Sequence, residues 1–170
     1  MTEAHDRETG ETRWLDTDER AAWLATAAIM ITLPAALDSR LQREAGLTFF
    51  EYLVLSVLSE QDDRTMQMSE IAAGVSASLS RLSHAIKKLE EKHLVTRSRV
   101  PGTGRRTAAT LTDAGYERVV AAAPGHVAAV REYLMDALEP DDLATLRRIG
   151  VATATRINPD RPFLHGNPGS

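Results

Sequence analysis

The spacing of apolar residues changes from helical to alternating at Leu94, and this change constrains the fold more than any other feature. Before Leu94, intervals of three and four predict a helix from about Ala77 to Lys92 with one buried stripe. After it, alternation predicts a strand over 94–100, a turn at 101–104 and a returning strand over 105–111. The residues of the predicted stripe are Leu79, Leu82, Ile86 and Leu89. A helix is therefore followed directly by a β-hairpin.

Further helices are predicted on both sides of this region. Thr48 is expected to cap one helix, and Ser69 a short helix that ends in a turn near Gly74. After the hairpin, Thr112 begins a helix that the dipeptide at 124–125 should interrupt, and a last helix extends from about residue 140 to 157. The helix-turn-helix and hairpin thus lie between longer helices.

The first predicted helix contains an uncharged run. Asp16 with Glu19 three residues later resembles a capping box, and the helix runs to about Arg43, with Pro34 expected to kink or divide it. Residues 21–37 carry no charge over a length that only reaches the lower limit of a membrane span. Because the run is alanine-rich and contains threonines and a proline, we expect a buried helix instead of a membrane segment.

The first 20 residues argue against a secretory signal. They hold seven acidic residues and three arginines, whereas a signal peptide needs a positive amino-terminal region. We therefore expect a cytoplasmic protein without a membrane partner.

Several kinds of chemistry are missing from the sequence. The absence of cysteine excludes disulfide scaffolds, thiolate zinc sites, iron–sulfur clusters, cysteine nucleophiles and thiol redox sensing. Phosphate-binding loops, dinucleotide-binding fingerprints and metalloprotease motifs are not found. The five histidines do not share a helix face at intervals of three or four. These observations predict a protein that is not an enzyme and that needs no cofactor or metal.

Positive charge is concentrated in the helix-turn-helix and hairpin. Residues 64–107 contain nine basic and three acidic residues, a net charge of +6, in a chain whose total is −4. The rest of the chain therefore carries −10. A charge run alone is usually a solvated surface, but this one lies on the two elements that can enter DNA grooves. The order of helix, turn, helix, strand, basic turn and strand is that of a winged helix-turn-helix.

The same residues resemble a known family. The segments MSEIA (68–72), ASLSRLSH (77–84), KLEEKHLV (88–95) and LTDAG (111–115), together with Arg105 and Arg106, resemble the MarR family of bacterial transcriptional regulators. Flanking matches around residues 47–52 and 123–127 extend the resemblance to about residues 14–157. One position departs from the family pattern, because Gly104 stands where relatives often have an aspartate two residues before the wing arginine.

The resemblance implies a mainly α fold with a small β-hairpin wing. A flexible arm (1–13) and a flexible tail (158–170) would flank a single domain over 14–157, with the winged helix-turn-helix at about 48–112. Helices over 16–45 and 113–157 would form a homodimer. Many relatives bind a pseudo-palindromic operator, repress transcription and release DNA when a small aromatic or phenolic anion binds between the dimerisation and DNA-binding regions.

Particular side chains are predicted to contact double-stranded DNA. Base edges in the major groove would be contacted by Ser78, Ser80, Arg81 and His84. Phosphates would be contacted by Lys87, Lys88 and Arg97, and a minor groove by the wing arginines Arg105 and Arg106. Trp23 and Tyr52 are weak candidates for an effector pocket, since aromatic residues on helices are usually plain packing. The alternative function is a winged-helix protein-interaction module that does not bind DNA.

Overall fold

In the computed structural model of the protein, the residues described are 12–100, 102 and 106–159. They form six α-helices, three short strands and one 3₁₀ turn. The helices are α1 (Thr17–Ala45), α2 (Phe49–Ser59), α3 (Met68–Gly74), α4 (Leu79–Glu91), α5 (Asp113–Tyr133) and α6 (Pro140–Ile157). The strands are β1 (Thr65–Gln67), β2 (Val95–Arg99) and β3 (Thr107–Leu111), and the 3₁₀ turn is Met135–Ala137. The predicted mainly α fold with a β-hairpin wing is confirmed. The predicted arm and tail lie largely outside the described residues.

The three strands form one antiparallel sheet in the order β1-β3-β2. Val95 pairs with Leu111 at the base of the wing and Arg99 pairs with Thr107 near its tip. Strand β1 was not predicted, because three half-buried residues give too short an alternating pattern to be recognised. It pairs with β3 and thereby attaches the wing to the start of α3.

The chain divides into two units, Met1–Leu33 and Pro34–Ser170. In the first unit, the predicted capping box is confirmed, because Asp16 Oδ1 accepts a hydrogen bond from the Glu19 amide at 2.8 Å and Glu19 Oε2 accepts one from the Asp16 amide at 3.0 Å. Large apolar side chains of this unit, among them Trp23 and Ile31, are exposed. Among the residues that the structure describes, positions 21–33 therefore lack the burial that the sequence predicts.

Helix α1 is long and apolar enough to cross a membrane by length and composition, and only 6% of its most apolar window is buried. Pro34 lies inside α1 without dividing it.

In the second unit, the core lies between α2, α3, α4 and the sheet. Its fully buried large side chains are Leu47, Val54, Leu55, Leu58, Ile71, Leu82, Ile86, Leu89 and Val95. Helix α2 begins as predicted with a complete capping box between Thr48 and Glu51. Helix α3 begins two residues earlier than predicted, because Gln67 and not Ser69 occupies the cap position, and the Gln67 amide donates to Glu70 Oε2 at 3.2 Å.

The prediction that Pro124-Gly125 interrupts the fifth helix is wrong, since α5 continues through both residues. A proline inside a helix costs about 3 kcal/mol. Buried residues lie on both sides of the proline, Ala122 before it and Ala129 after it, so packing against the rest of the fold favours one continuous helix.

The wing meets α5 at an unusually close approach. Thr112 Oγ1 accepts a hydrogen bond from the Gly115 amide at 3.0 Å and so caps α5 as predicted. A Cβ atom at Gly115 would lie 2.1 Å from the Leu94 carbonyl oxygen. Only glycine fits here, so the start of α5 packs directly against the backbone between α4 and β2.

Candidate nucleic-acid interface

Helix α4 has one buried and one exposed face. Ser78 is its N-cap, and the Ser78 Oγ accepts a hydrogen bond from the Arg81 amide at 3.2 Å. The buried residues are Leu82, Ala85, Ile86 and Leu89. The predicted stripe is thus wrong at its first member, because Leu79 is 57% exposed and Ala85 takes a buried place instead. Leu79 is the first residue of α4, and the part of the helix that packs against the core begins only at Leu82.

Three of the predicted DNA contacts lie opposite the buried face. At 100° per residue, Ser80, His84 and Lys87 point away from the core, and all three are exposed. Glu91 follows on the same face one turn after Lys87. The exposed face is therefore small and polar at its amino-terminal end and charged at its carboxyl-terminal end.

Arg81 lies on the side of α4 that faces α2. Its guanidinium carbon is 4.2 Å from the centroid of the Phe50 ring, a cation–π geometry. Among the described residues it has no ion pair. The ring therefore supports the guanidinium without neutralising it, and its hydrogen-bond donors stay available.

Lys88 lies on the same flank as Arg81, about a quarter turn from the centre of the exposed face. It lines an open cleft of about 510 Å³ beside Lys92. Lys92 itself donates to Glu51 Oε2 and to the Gly46 carbonyl oxygen, both at 3.1 Å. Glu51 is only 4% exposed, so this ion pair fastens the end of α4 to α2. Sequence reasoning missed this pair because the two residues are 41 positions apart.

The side chain of Arg97 contacts residues of α4 in the structure. Its Nη2 lies 2.6 Å from Glu90 Oε2, its backbone amide donates to Glu90 Oε1 at 3.2 Å, and its Nη1 lies 3.5 Å from Ser83 Oγ. Among the described cations predicted to contact DNA, Arg97 alone has an ion pair. Its side chain connects the base of the wing to α4 instead of projecting from the wing.

The two wing arginines differ in what the structure describes. Arg106 is exposed, and its carbonyl oxygen accepts a hydrogen bond from the Val100 amide at 3.0 Å, which continues the hairpin beyond β2. Arg105 and Gly104 lie outside the described residues. The structure thus places Ser80, His84 and Lys87 on the exposed face of α4, Arg81 and Lys88 on the adjoining flank, Ser78 at the N-cap and Arg106 on the separate wing.

Comparison with known proteins gives consistent matches. A family model described as "Transcriptional regulator SarA/Rot" matches residues 36–121. Sco3205, a MarR family transcriptional regulator from Streptomyces coelicolor solved in complex with DNA, is 37% identical, covers 91% of this chain and 98% of its own, and superimposes with a TM-score of 0.84. The chain belongs to the MarR family. The resemblance inferred from sequence is confirmed, and the protein is a winged-helix transcriptional regulator.

Two further structures of the MarR fold are similar. AbsC, a MarR family regulator from Streptomyces coelicolor, is 37% identical with a TM-score of 0.80 and covers 86% of this chain and 98% of its own. CouR from Rhodococcus jostii RHA1, bound to p-coumaroyl-CoA, shares the fold at 22% identity with a TM-score of 0.66, covering 84% of this chain and 94% of its own. A comparison with curated proteins gives no match.

The two aromatic candidates for an effector pocket in this MarR protein have different environments. Trp23 belongs to the first unit and is 53% exposed. Tyr52 is 7% exposed, and its ring centroid lies 4.5 Å from that of His126. Tyr52 is therefore a core residue of α2.

His126 is a residue that sequence reasoning did not single out. Its ring stacks on Phe49 at 5.9 Å, and its Nδ1 is buried without a hydrogen-bond partner among the described residues. Burial lowers the pKa of the imidazole. A cavity of about 40 Å³ lies beside it, also lined by Arg40 and Glu44. No sequence pattern marks this place, since its members come from α1, α2 and α5.

A larger groove, of about 420 Å³, lies beside α4, the second helix of the helix-turn-helix, which is called the recognition helix in this fold. Its walls come from the second half of α1, from α2 and from the start of α4. The lining residues are Pro34, Ala35, Asp38, Phe49, Phe50, Leu53, Val75 and Arg81. The groove combines aromatic rings with an unpaired guanidinium, which is a suitable surface for a flat anion.

Proposed function

We propose that this MarR regulator is a cytoplasmic homodimeric repressor that binds a pseudo-palindromic operator and releases it when a small aromatic or phenolic anion binds. The observation that carries the proposal is the exposed face of α4, where Ser80, His84 and Lys87 adjoin an unpaired Arg81. Such a helix fits the major groove, and arginine can grip guanine with two donors. In this proposal Ser78, Ser80, Arg81 and His84 contact bases, while Lys87 and Lys88 contact phosphates.

The wing would contact the neighbouring minor groove. Arg106 is exposed beyond the end of β2, and a narrow minor groove has a strong negative potential that attracts arginine. Arg105 is assigned the same role. Because the minor groove distinguishes bases poorly, these contacts would add affinity more than sequence preference.

The dimer is inferred from surfaces that a single chain leaves uncovered. Helix α6 has no buried residue although it carries Leu143, Leu146 and Ile149 on one side. An apolar helix face of this kind is stable only when another surface covers it. A second copy of the chain would cover it by a two-fold interface and would place two recognition helices at half-sites about one helical turn, or 34–36 Å, apart.

An effector of aromatic anionic chemistry would fit the groove at Phe50 and Arg81. Its ring would stack on the aromatic wall, and its carboxylate or phenolate would pair with the guanidinium. Since Arg81 is also assigned to DNA, the effector would compete for this side chain and weaken operator binding. CouR, which shares the fold, is bound to p-coumaroyl-CoA. Phe50 thus replaces Tyr52 and Trp23 as the aromatic residue of the proposed effector groove.

The first experiment is selection of bound fragments from random duplexes by the full chain, followed by sedimentation of the complex. We expect a pseudo-palindromic motif, two chains per duplex and an affinity that falls steeply with added salt. A hydroxybenzoate panel should then weaken binding by the wild type and have little effect on Phe50→Ala. Repression is tested with a reporter downstream of the selected motif. If no duplex is bound even at low salt, the protein-interaction module is the better function.

A further inference from the structure

Exposed large apolar side chains follow a pattern with one exception. Of the seventeen among the described residues, sixteen lie on α1 or just before it, on α5 or on α6, the helices assigned to the dimer. Among the described residues from 48 to 112, Leu79 is the only large apolar residue that is exposed, with 57% of its surface accessible. A single exposed leucine is ordinary on a protein surface. What distinguishes Leu79 is its place at the first position of the recognition helix.

Leu79 lies at the amino-terminal end of α4, among residues assigned to base contacts. It follows the N-cap Ser78, precedes Ser80, and lies one turn before Ser83 on the flank of α4 that faces the wing. The Arg97 contact to Ser83 lies one turn further along, so the wing is held at that turn and leaves Leu79 uncovered. Amino-terminal residues of a recognition helix are those that reach base edges in the major groove.

Of the groups that base pairs display in the major groove, the C5-methyl of thymine is the apolar one. The leucine side chain cannot form hydrogen bonds, and burying it against a phosphate or an amino group would leave that group unsatisfied. We propose that Leu79 contacts the thymine C5-methyl and thereby specifies thymine at one position in each half-site. This inference rests on the proposed operator binding and adds a specificity-determining residue to it.

The test removes the methyl group from the DNA and the leucine from the protein in turn. In the selected operator, each thymine is replaced by deoxyuridine, which keeps base pairing and lacks only the methyl. For the wild type we expect replacement at one position to lower the affinity about fourfold per half-site, the effect of one buried methyl-sized group. Leu79→Ala should bind the thymine operator as weakly as the wild type binds the deoxyuridine operator. Its affinity should not fall further when thymine is replaced by deoxyuridine.

Two controls separate this contact from general effects. Leu79→Ala should keep the wild-type melting temperature, because the side chain is exposed. Lys87→Ala, assigned to a phosphate, should bind more weakly but retain the full fourfold response to deoxyuridine. The proposal is overturned if Leu79→Ala retains that response, if deoxyuridine has no effect at any position, or if the half-site contains no thymine. Failure of the wild type to select any motif would instead overturn the proposed function itself.

Discussion

The carboxylate of Glu90 accepts a hydrogen bond from the backbone amide of Arg97 at 3.2 Å and forms an ion pair with its guanidinium at 2.6 Å. Glu90 belongs to α4 and Arg97 to β2, so this one carboxylate joins the recognition helix to the wing. The pair directs the Arg97 guanidinium toward α4 and neutralises much of its charge. The relationship favours a positioning role for Arg97 over the phosphate contact that the sequence suggested.

We predict that Arg97→Gln and Glu90→Gln weaken operator binding by a similar factor, about fivefold, since a partly exposed ion pair contributes on the order of 1 kcal/mol. Their double variant should be no weaker than either single one, because both remove the same interaction. The slope of log affinity against log salt should stay unchanged. Fluorescence titrations at several salt concentrations measure all three quantities.

A neighbouring carboxylate supplies the control for charge. Glu91→Gln removes a negative charge from the same turn of α4 without breaking a contact to the wing, and it should leave affinity the same or slightly higher. If Arg97→Gln alone lowers the salt slope by about one per subunit, Arg97 contacts a phosphate after all.

The recognition helix and the wing should differ in what they contribute. Arg81→Ala should cost about 1–3 kcal/mol and relax the preference at one position per half-site. Arg106→Ala should weaken binding to many sequences alike and reduce the preference for A·T-rich flanks. Arg81→Lys serves as the matched control, since it keeps the charge and loses the two-donor geometry. The measurement is a titration against the operator and its single-base variants, and an unchanged preference in Arg81→Ala would refute the assignment.

His126 should make the protein less stable in acid. Burial lowers the pKa of its imidazole in the folded state, so folding favours the neutral form. That contribution is fully present above the unfolded pKa of about 6.5 and is lost progressively as the pH falls through the lower folded pKa. The groups that line or touch its site are the Arg40–Glu44 ion pair of α1 and the ring of Tyr52.

Urea unfolding at pH 8 and pH 5.5 measures this effect. The free energy of unfolding of the wild type should fall more between the two pH values than that of His126→Gln, which cannot gain the proton. Because all other titrating groups are the same in the two proteins, their contributions to the free energy of unfolding cancel in this comparison. Equal losses in both would show that the imidazole is already solvated enough to take up its proton without penalty.

Local signals predicted the helices well and the surface of α4 less well. Thr48 and Thr112 cap their helices as expected because capping depends on a few neighbouring residues. Leu79 was assigned to the core because periodicity identifies a face but does not show where along the helix the core begins. The Glu90–Arg97 and Lys92–Glu51 pairs depend on how elements pack, which periodicity does not encode.

The close approach at Gly115 predicts a large effect of a small change. Gly115→Ala would place Cβ 2.1 Å from the Leu94 carbonyl oxygen, so α5 or the chain at Leu94 would have to move. We expect a loss of about 2 kcal/mol or more, in the range of overpacked sites. Gly74→Ala is the control, because nothing lies within 4 Å of its Cβ position and the helix should gain up to about 1 kcal/mol. Thermal unfolding of both variants decides between strain and ordinary helix propensity.

The last prediction concerns the surface that α6 leaves uncovered. Ile149 is 50% exposed in the single chain, so an aspartate there should not disturb the fold of the monomer. In the proposed dimer the same carboxylate would be buried without a partner, at a cost of several kcal/mol. Ile149→Asp should therefore sediment as a monomer and lose specific DNA binding. Ala144→Asp, about 140° around the helix, should stay dimeric and bind normally. A dimeric Ile149→Asp variant would place the interface on another surface of the chain.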